Sequence, residues 1–526
     1  MTFIPGGEYR LVGWGNVVDA PARLDDFLID RFEVTNREFK EFVTAGGYLS
    51  KDHWKHALIK EGRELSWDEA MRELRDRTGL PGPRSWSSQS YPQGRDEHPV
   101  TDITWYEAAA YCSFRGKSLP TLFQWEKAAR DGVFTHHWGS VMPWGVVGPG
   151  DPVGRRANFQ TTDTVPVTSF EFGMSPFGCY HMAGNVAEWC LNEHTDGYVQ
   201  AGGSFTDTPY RFANYGGLPG FRGTPALGCR CVLNTSHADQ GGLRIEPDKE
   251  VPVYKPTSDE SFRAWMTHYR YDRMPLQPEV LELREEDGWR REKLAYAGEG
   301  RGRTPAYLYL PKNFRPPFQV IHYAPSAGAA DAPLSDEMEF ILRPYILSGR
   351  AAFGVVLEGF FERPRPPGFV VPGLESVRMR ELVVSRITEL RRGLDFLETR
   401  SELDRSKIAF YGTSAGVSLG QRLAAIDPRY RAAVFVAGGA EREWVSYIAE
   451  ANPLNFASHV RVPKLVINGR YDEEYQYRTD IEPFFKLLRD PKRQMLFDSG
   501  HLPPLEQVAP VVNGFLDETL GPVRRD

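Results

Sequence analysis

Ser414, Asp472 and His501 are the side chains whose types and settings could carry out nucleophilic chemistry. Ser414 sits in Gly412-Thr413-Ser414-Ala415-Gly416, which matches the G-x-S-x-G nucleophile elbow. The chemistry needs that spacing for a steric reason. A strand that turns sharply into a helix holds the serine in a strained conformation, and glycines on either side remove side chains that would collide. The helix that follows aims free N–H groups and its positive dipole end at the place where an oxyanion would form. An acid and an imidazole must then be brought to the same spot. Asp472 follows the apolar run Pro463–Asn468, and His501 follows Met495–Phe497.

The elements that must position these groups are legible on either side of them. Lys407–Tyr411 reads as a buried strand and the stretch from Val417 as a helix. The chain order Ser, Asp, His is that of α/β-hydrolases and differs from the chymotrypsin and subtilisin orders. Further back, Val280–Arg284, Trp289–Ala295 and Ala306–Leu310 read as alternating strands. Phe318–Tyr323 and Ala351–Leu357 are apolar strands, and Met379–Arg400 is an amphipathic helix leading into the elbow strand. Antiparallel strands followed by βα units predict an α/β-hydrolase fold over residues 259–526. Within it the oxyanion donors are expected to be the N–H of Ala415 and that of Ser326, the latter preferred to Ala327. Asp472 is preferred over Glu473 and Asp480 as the acid, and His322 reads as structural.

Length and composition bound the rest. A chain of 526 residues implies two domains, and 41% hydrophobic with 25% charged residues is ordinary for a soluble globular protein. The net charge of −7 favours no polyanion such as nucleic acid. The opening MTFIPGGEYRLVG has neither a basic n-region nor an apolar h-region, and no run has the length of a membrane span. Five cysteines, all between Cys112 and Cys231, suggest a reducing cytoplasm rather than a disulfide framework. Residues 235–258 are polar and punctuated by Gly and Pro, and read as a linker.

Residues 1–234 have a different texture. Thr35/Glu38, Ser66/Glu69, Thr104/Glu107 and Thr121/Gln124 have capping-box spacing, and Gly46-Gly47, Gly79, Gly116 and Gly132 stand where the helices should stop. Between them the chain is rich in Gly, Pro, Trp and Asn, which predicts an irregular α+β domain filled by aromatics. His53/His56 and His136/His137 supply no convincing third ligand for a metal, so they read as surface or packing residues.

The stretches FLIDRFEVTNREFKEFVTAGGY (Phe27–Tyr48), His98–Arg130, GNVAEW (Gly184–Trp189), GGSF (Gly202–Phe205) and LGCRCV (Leu227–Val232) resemble the formylglycine-generating enzyme/sulfatase-modifying-factor family. The resemblance implies a variant C-type-lectin-like fold. It also implies two copper-binding cysteines shortly after GGS, but those positions are Asp207 and Phe212 here. Two thiolates suit Cu(I), and a carboxylate plus a phenyl ring cannot replace them, so oxidase activity is not expected. Structural calcium is known in the family. Candidate ligands are Asn158 with the Phe159 carbonyl, and Gly184, Val186 and Glu188, although His181 stands where the family has Asp or Asn. Cys112 and Cys231 occupy motif positions that imply closeness, and the compartment argument expects them as thiols. Cys179, Cys190 and Cys229 read as small buried hydrophobes.

The second half resembles the hydrolase domain that follows such a domain in bacterial multidomain proteins, many with a protein kinase at the N-terminus. No kinase Gly-loop, HRD or DFG pattern occurs here, so the chain reads as a kinase-free member or a fragment. Together these readings predict a serine esterase or acyl hydrolase that needs no cofactor and acts on a small-molecule or acylated substrate, with the first half as a binding or lid module. An acyltransferase or peptidase on the same triad, a non-catalytic scaffold, and a metal-dependent oxidase in the first half are the alternatives.

Overall fold

The computed structural model describes residues 1–11, 22–130, 141–146, 153–207, 209–236, 251–298, 302–330, 332–365, 369–440, 446–472 and 474–524. By its internal contacts the chain divides into two units, Met1–Lys249 and Glu250–Asp526.

The first unit is short on regular structure, as its Gly- and Trp-rich sequence demands. Its longest strand, Ala187–His194, is the centre of a four-stranded sheet with Gly197–Ala201, Gly216–Leu218 and Leu227–Gly228. A second sheet pairs both the first strand, Thr2–Ile4, and the late strand Val232–Asn234 with Phe27–Ile29. Among its described residues, α-helices run over Asn36–Thr44, Trp67–Glu73, Trp105–Phe114 and Leu122–Arg130. Reciprocal capping occurs at all four predicted starts: the first three are full capping boxes, and Thr121 and Gln124 exchange side-chain-to-backbone bonds at 3.0 and 3.2 Å. Each such cap is worth about 1 kcal/mol. Of the predicted stops, Gly132 lies outside the described residues and Gly79 is wrong. The second helix ends at Glu73, before Gly79, because the Asp76 carboxylate accepts from the N–H groups of Thr78, Leu80 and Gln89 and folds the chain into a turn instead. Trp86, Trp105, Trp125 and Trp189 are essentially buried, so aromatics do fill this core.

The second unit is a nine-stranded sheet: β1 Glu279–Glu285, β2 Trp289–Ala297, β3 Arg303–Pro311, β4 Phe318–Ala324, β5 Ala351–Val355, β6 Leu403–Thr413, β7 Tyr430–Val436, β8 Lys464–Gly469 and β9 Lys492–Phe497. The spatial order is 1-2-3-5-4-6-7-8-9. Strands β1, β2, β3 and β5 pair antiparallel in sequence, and from β5 through β9 every pairing is parallel. After an added first strand, this is the eight-stranded order of the α/β-hydrolase fold.

Central strands buried on both faces are continuous in hydrophobicity, and β4 is buried at every residue. Its alternation sends Val320 and Ala324 to one core and Ile321 and Tyr323 to the other. The first core is covered by α2 (Val377–Leu397) and α3 (Ala415–Ile426), the second by α1 (Leu334–Leu347) and α4 (Leu505–Leu520). Truncating one of the buried α2 residues, such as Ile387 or Leu390, to Ala costs about 2–5 kcal/mol. Among the described residues no helix is long and apolar enough to cross a membrane.

Candidate active site

Strand β6 ends at Thr413, α3 begins at Ala415, and Ser414 alone makes the turn. Its φ of 51° and ψ of −115° lie where side chains are strained. The surroundings force that conformation. The Ser414 N–H donates to the Val436 carbonyl of neighbouring β7 at 2.8 Å, tying the turn to the sheet. A Cβ on Gly416 would stand 2.1 Å from the Ala324 carbonyl oxygen, and one on Gly412 would stand 2.7 Å from that of Gly416. The helix start can therefore sit against the end of β4 only with glycine at position 416.

The acid and the imidazole come from the next two strand ends. Asp472 follows β8 and His501 follows β9, and the two loops are stitched by Arg470 N–H to the Phe497 carbonyl and Tyr471 N–H to the Ser499 carbonyl. A Cβ on Gly469 would lie 1.8 Å from the Gly500 carbonyl oxygen, so the loops touch where they leave the sheet. His501 Nδ1 is 2.9 and 3.0 Å from the Asp472 carboxylate oxygens, and His501 Nε2 is 3.0 Å from Ser414 Oγ. Asp472 also accepts from the N–H groups of Glu474 and Tyr475 at 2.9 Å, which fixes its carboxylate. All three side chains are buried, and the Tyr475 ring stacks beside the imidazole. A hydroxyl, an imidazole and a carboxylate thus form one line of hydrogen bonds able to draw a proton off Ser414.

Of the other two acids weighed, Asp480 is engaged by the Gln476 N–H, and Glu473 lies outside the described residues. Sequence reasoning missed Glu474, whose Oε2 is 3.4 Å from His501 Nε2. Two residues after an acid in a loop, it carries no signal of its own. His322 is a core histidine as expected. Its Nδ1 is 2.7 Å from Tyr430 Oη, and burial, with the charge of Arg429, lowers its pKa to about 3.

The expected oxyanion donors fare differently. Ala415 stands at the first position of α3, and its N–H has no acceptor among the described residues. Ser326 must be corrected. Its N–H is donated to Glu337 Oε1 at 2.8 Å and is not free for an oxyanion. Glu337, on α1, also accepts from Tyr323 Oη at 2.7 Å, and that hydroxyl lies 3.3 Å from Thr413 Oγ1, next to the nucleophile. Burial holds the Glu337 carboxyl above its usual range, while these hydrogen bonds act the other way. The residue weighed against Ser326, Ala327, is exposed, and its N–H has no acceptor among the described residues.

In the first unit, the two positions where copper-binding thiolates were sought have other partners. Asp207 accepts from the N–H and hydroxyl of Ser204 at 2.7 and 2.6 Å, and the buried Phe212 ring lies under the Arg130 guanidinium at 4.9 Å. At the candidate calcium positions, the side-chain oxygens already have hydrogen-bond partners. Both oxygens of Glu188 are taken by Arg230 at 2.6 Å, and one also by the Trp125 indole at 2.8 Å. The Val186 N–H donates to Glu33, the Asn158 carboxamide oxygen accepts from Thr161, and the Asn158 backbone carbonyl accepts from the Asn185 N–H. His181 is buried, and burial with the charge of Arg230 lowers its pKa to about 4.

His53 packs on Phe42 and Phe114, and His56 on Trp105. His136 and His137 lie outside the described residues. Cys112 and Cys231 are neighbours, with Cα atoms 5.7 Å apart. They are joined as a disulfide, which corrects the expectation of thiols. The bridging of Ser118 to Val232 by two backbone hydrogen bonds brings the helix end and the late strand together. A disulfide persists in oxidising surroundings, so this pair does not support the reducing-compartment expectation. The remaining three cysteines are buried and free, and burial pushes each thiol up.

Comparison with known proteins divides along the same line. The sulfatase-modifying factor enzyme 1-like domain matches residues 1–235. A formylglycine-generating enzyme of Thermomonospora curvata is 33% identical over 221 residues, covering 36% of this chain and 71% of that one. The serine/threonine-protein kinase Pkn1 of Chlamydia trachomatis is 31% identical over 215 residues, covering 40% of this chain and 30% of the kinase. Among solved structures, an acetyl xylan esterase from Paenibacillus sp. R4 aligns with 51% of this chain and 97% of its own at 18% identity, with a TM-score of 0.42.

Proposed function

The chain belongs, through residues 1–235, to the sulfatase-modifying factor enzyme 1-like domain family, and from that premise we propose that its chemistry lies in the other half, as a serine hydrolase of acyl esters. The observation that carries this reading is the unbroken line Ser414 Oγ, His501 Nε2, His501 Nδ1, Asp472, with every step between 2.9 and 3.0 Å. Ser414 attacks the ester carbonyl while His501 takes its proton, and Asp472 holds the imidazole in the tautomer that can accept. The same proton then goes to the leaving alcohol, and water repeats the sequence on the acyl-enzyme. The Ala415 N–H, at the positive end of α3, receives the oxyanion. Ala327 replaces Ser326 as the second donor, since Ser326 is committed to Glu337.

The first half, with Asp207 and Phe212 at the positions the copper thiolates would need, acts as a binding module rather than an oxidase. A fluorophosphonate probe tests the hydrolase reading. It should modify the full chain once, at Ser414, and lose that modification in Ser414→Ala. Failure of the probe together with inertness toward p-nitrophenyl acetate would refute the proposal.

A further inference from the structure

Just past β5, two arginines make no ion pair among the described residues. Arg365 is partly buried, its Nε is enclosed without a hydrogen-bond partner among the described residues, and its guanidinium lies 4.6 Å from the centre of the Phe369 ring. Arg386, in the third turn of α2, has an enclosed Nε in the same condition and donates from Nη2 only to the Glu358 carbonyl, at 3.2 Å. Both side chains crowd one peptide. A Cβ placed on Gly359 would come within 2.8 Å of Arg365 Nε. The two guanidiniums therefore flank the Glu358–Gly359 unit. Neighbouring arginines are treated differently: Arg363 is paired with Glu389, Arg391 with Asp427, and Arg429 with Asp395 and Asp427. Burial lowers the pKa of both unpaired arginines, and for Arg386 the charge of Arg365 adds to the effect; Glu358 opposes it in both cases.

The location is informative. β5 runs parallel to β4, and the Phe361 N–H donates to the Ala329 carbonyl at 2.9 Å, so the loop holding Arg365 is bonded to the loop between β4 and α1, whose start at Ala324 and Pro325 packs against Gly416 of the elbow. The cation pair thus stands at the sheet edge from which Ser414 is presented. We propose that Arg365 and Arg386 form a subsite for a carboxylate carried by the ester substrate. A half-buried guanidinium that no carboxylate bonds directly is costly, and an arriving carboxylate offsets part of that cost while offering the oxygens a planar guanidinium fork can hold. The proposal rests on the hydrolase reading for its substrate class, but binding can be read without turnover.

The experiment compares the p-nitrophenyl monoesters of adipic and suberic acid with the matching hexanoyl and octanoyl esters, using the full chain. The expected result is a kcat/KM preference for an anionic ester that drops about tenfold in Arg365→Met and in Arg386→Met, the loss of one charge-assisted bond. Arg386→Lys should keep part of the preference, which guards against a variant that merely misfolds. Calorimetry with adipate alone should show binding that weakens in both Met variants. No anionic preference in the unaltered chain, or one that both Met variants retain, overturns the subsite. If no ester at all is cleaved, the hydrolase reading fails, and adipate calorimetry then decides the subsite by itself, absence of heat counting against it.

Discussion

The two halves bury polar networks of comparable size and do opposite things with them. In the first, Glu188, Arg230 and Trp125 close on one another, with Arg230 also donating to the carbonyls of Asp30 and Tyr180. Donors meet acceptors inside the cluster, and its charges cancel. In the second, Asp472, His501 and Ser414 form a line that stops at a hydroxyl held in a strained turn. A closed network fixes a fold, whereas an open one keeps a reactive atom at its end. The difference is one of topology rather than of residue type, since both use a buried carboxylate against a nitrogen cation or imidazole.

The most severe way to break the comparison is to cut the open line. Ser414→Ala and His501→Ala should lower the turnover of p-nitrophenyl esters by about 10⁴ to 10⁶ with the thermal transition preserved, and Asp472→Asn somewhat less. Activity above a tenth of the starting value in the first variant would remove Ser414 from the mechanism. Cutting the closed network should act on stability instead. Arg230→Met strands the Glu188 carboxylate and should cost about 3–5 kcal/mol in denaturant unfolding of the first unit, while replacing both residues by Met recovers most of it. Equal losses in the single and double variants would show that the pair is not a closed unit.

A third test lies at the join between network and nucleophile. Glu337→Ala frees the Ser326 N–H and the Tyr323 hydroxyl, and a shift of the loop by an ångström should cost about 10² in kcat with little change in KM. Glu337→Gln, which keeps an acceptor oxygen, should recover much of that. A matched rise in KM in both variants would mean that Glu337 serves substrate binding instead.

The pH dependence is a smaller effect. His322 titrates at about 3 in the fold and near 6.5 unfolded, so the unfolded chain takes up its proton first as pH falls. Its contribution is complete above about pH 6.5 and declines by about 1.4 kcal/mol per pH unit on acidification until about pH 3. Hydrogen exchange of β4 amides should show a steeper acid limb in the parent than in His322→Gln. Identical limbs would place the proton uptake elsewhere.

Much of this site is legible from sequence because its signals are local. A strand, five residues and a helix suffice for the elbow, and the acid and imidazole each follow a strand within a few positions. The capping boxes are local in the same way. What escaped is tertiary. Ser326 looked available because its captor, Glu337, lies eleven residues on and reaches back only after α1 has packed on the sheet. Glu474 is invisible until the β8 and β9 loops meet, and Gly79 looked like a helix stop until Asp76 turned the chain before it. The closeness of Cys112 and Cys231 was legible in the family motifs; only their bond escaped, because a compartment was inferred from a cysteine count.

The backbone of Ser414 has one more consequence, for the chain's history rather than its chemistry. At φ 51° and ψ −115° a side chain is a standing penalty of about 1–3 kcal/mol that glycine would not incur. On the hydrolase reading proposed above, selection for turnover is what opposes its removal. In lineages that stop needing the reaction, position 414 should drift to glycine ahead of Asp472 or His501, leaving an intact fold with a disarmed elbow. The driving force can be measured as the unfolding free energy of Ser414→Gly against Ser414→Ala, with the glycine variant expected to be the more stable by about 1 kcal/mol. Equal stabilities would mean that the turn carries no strain for evolution to relax.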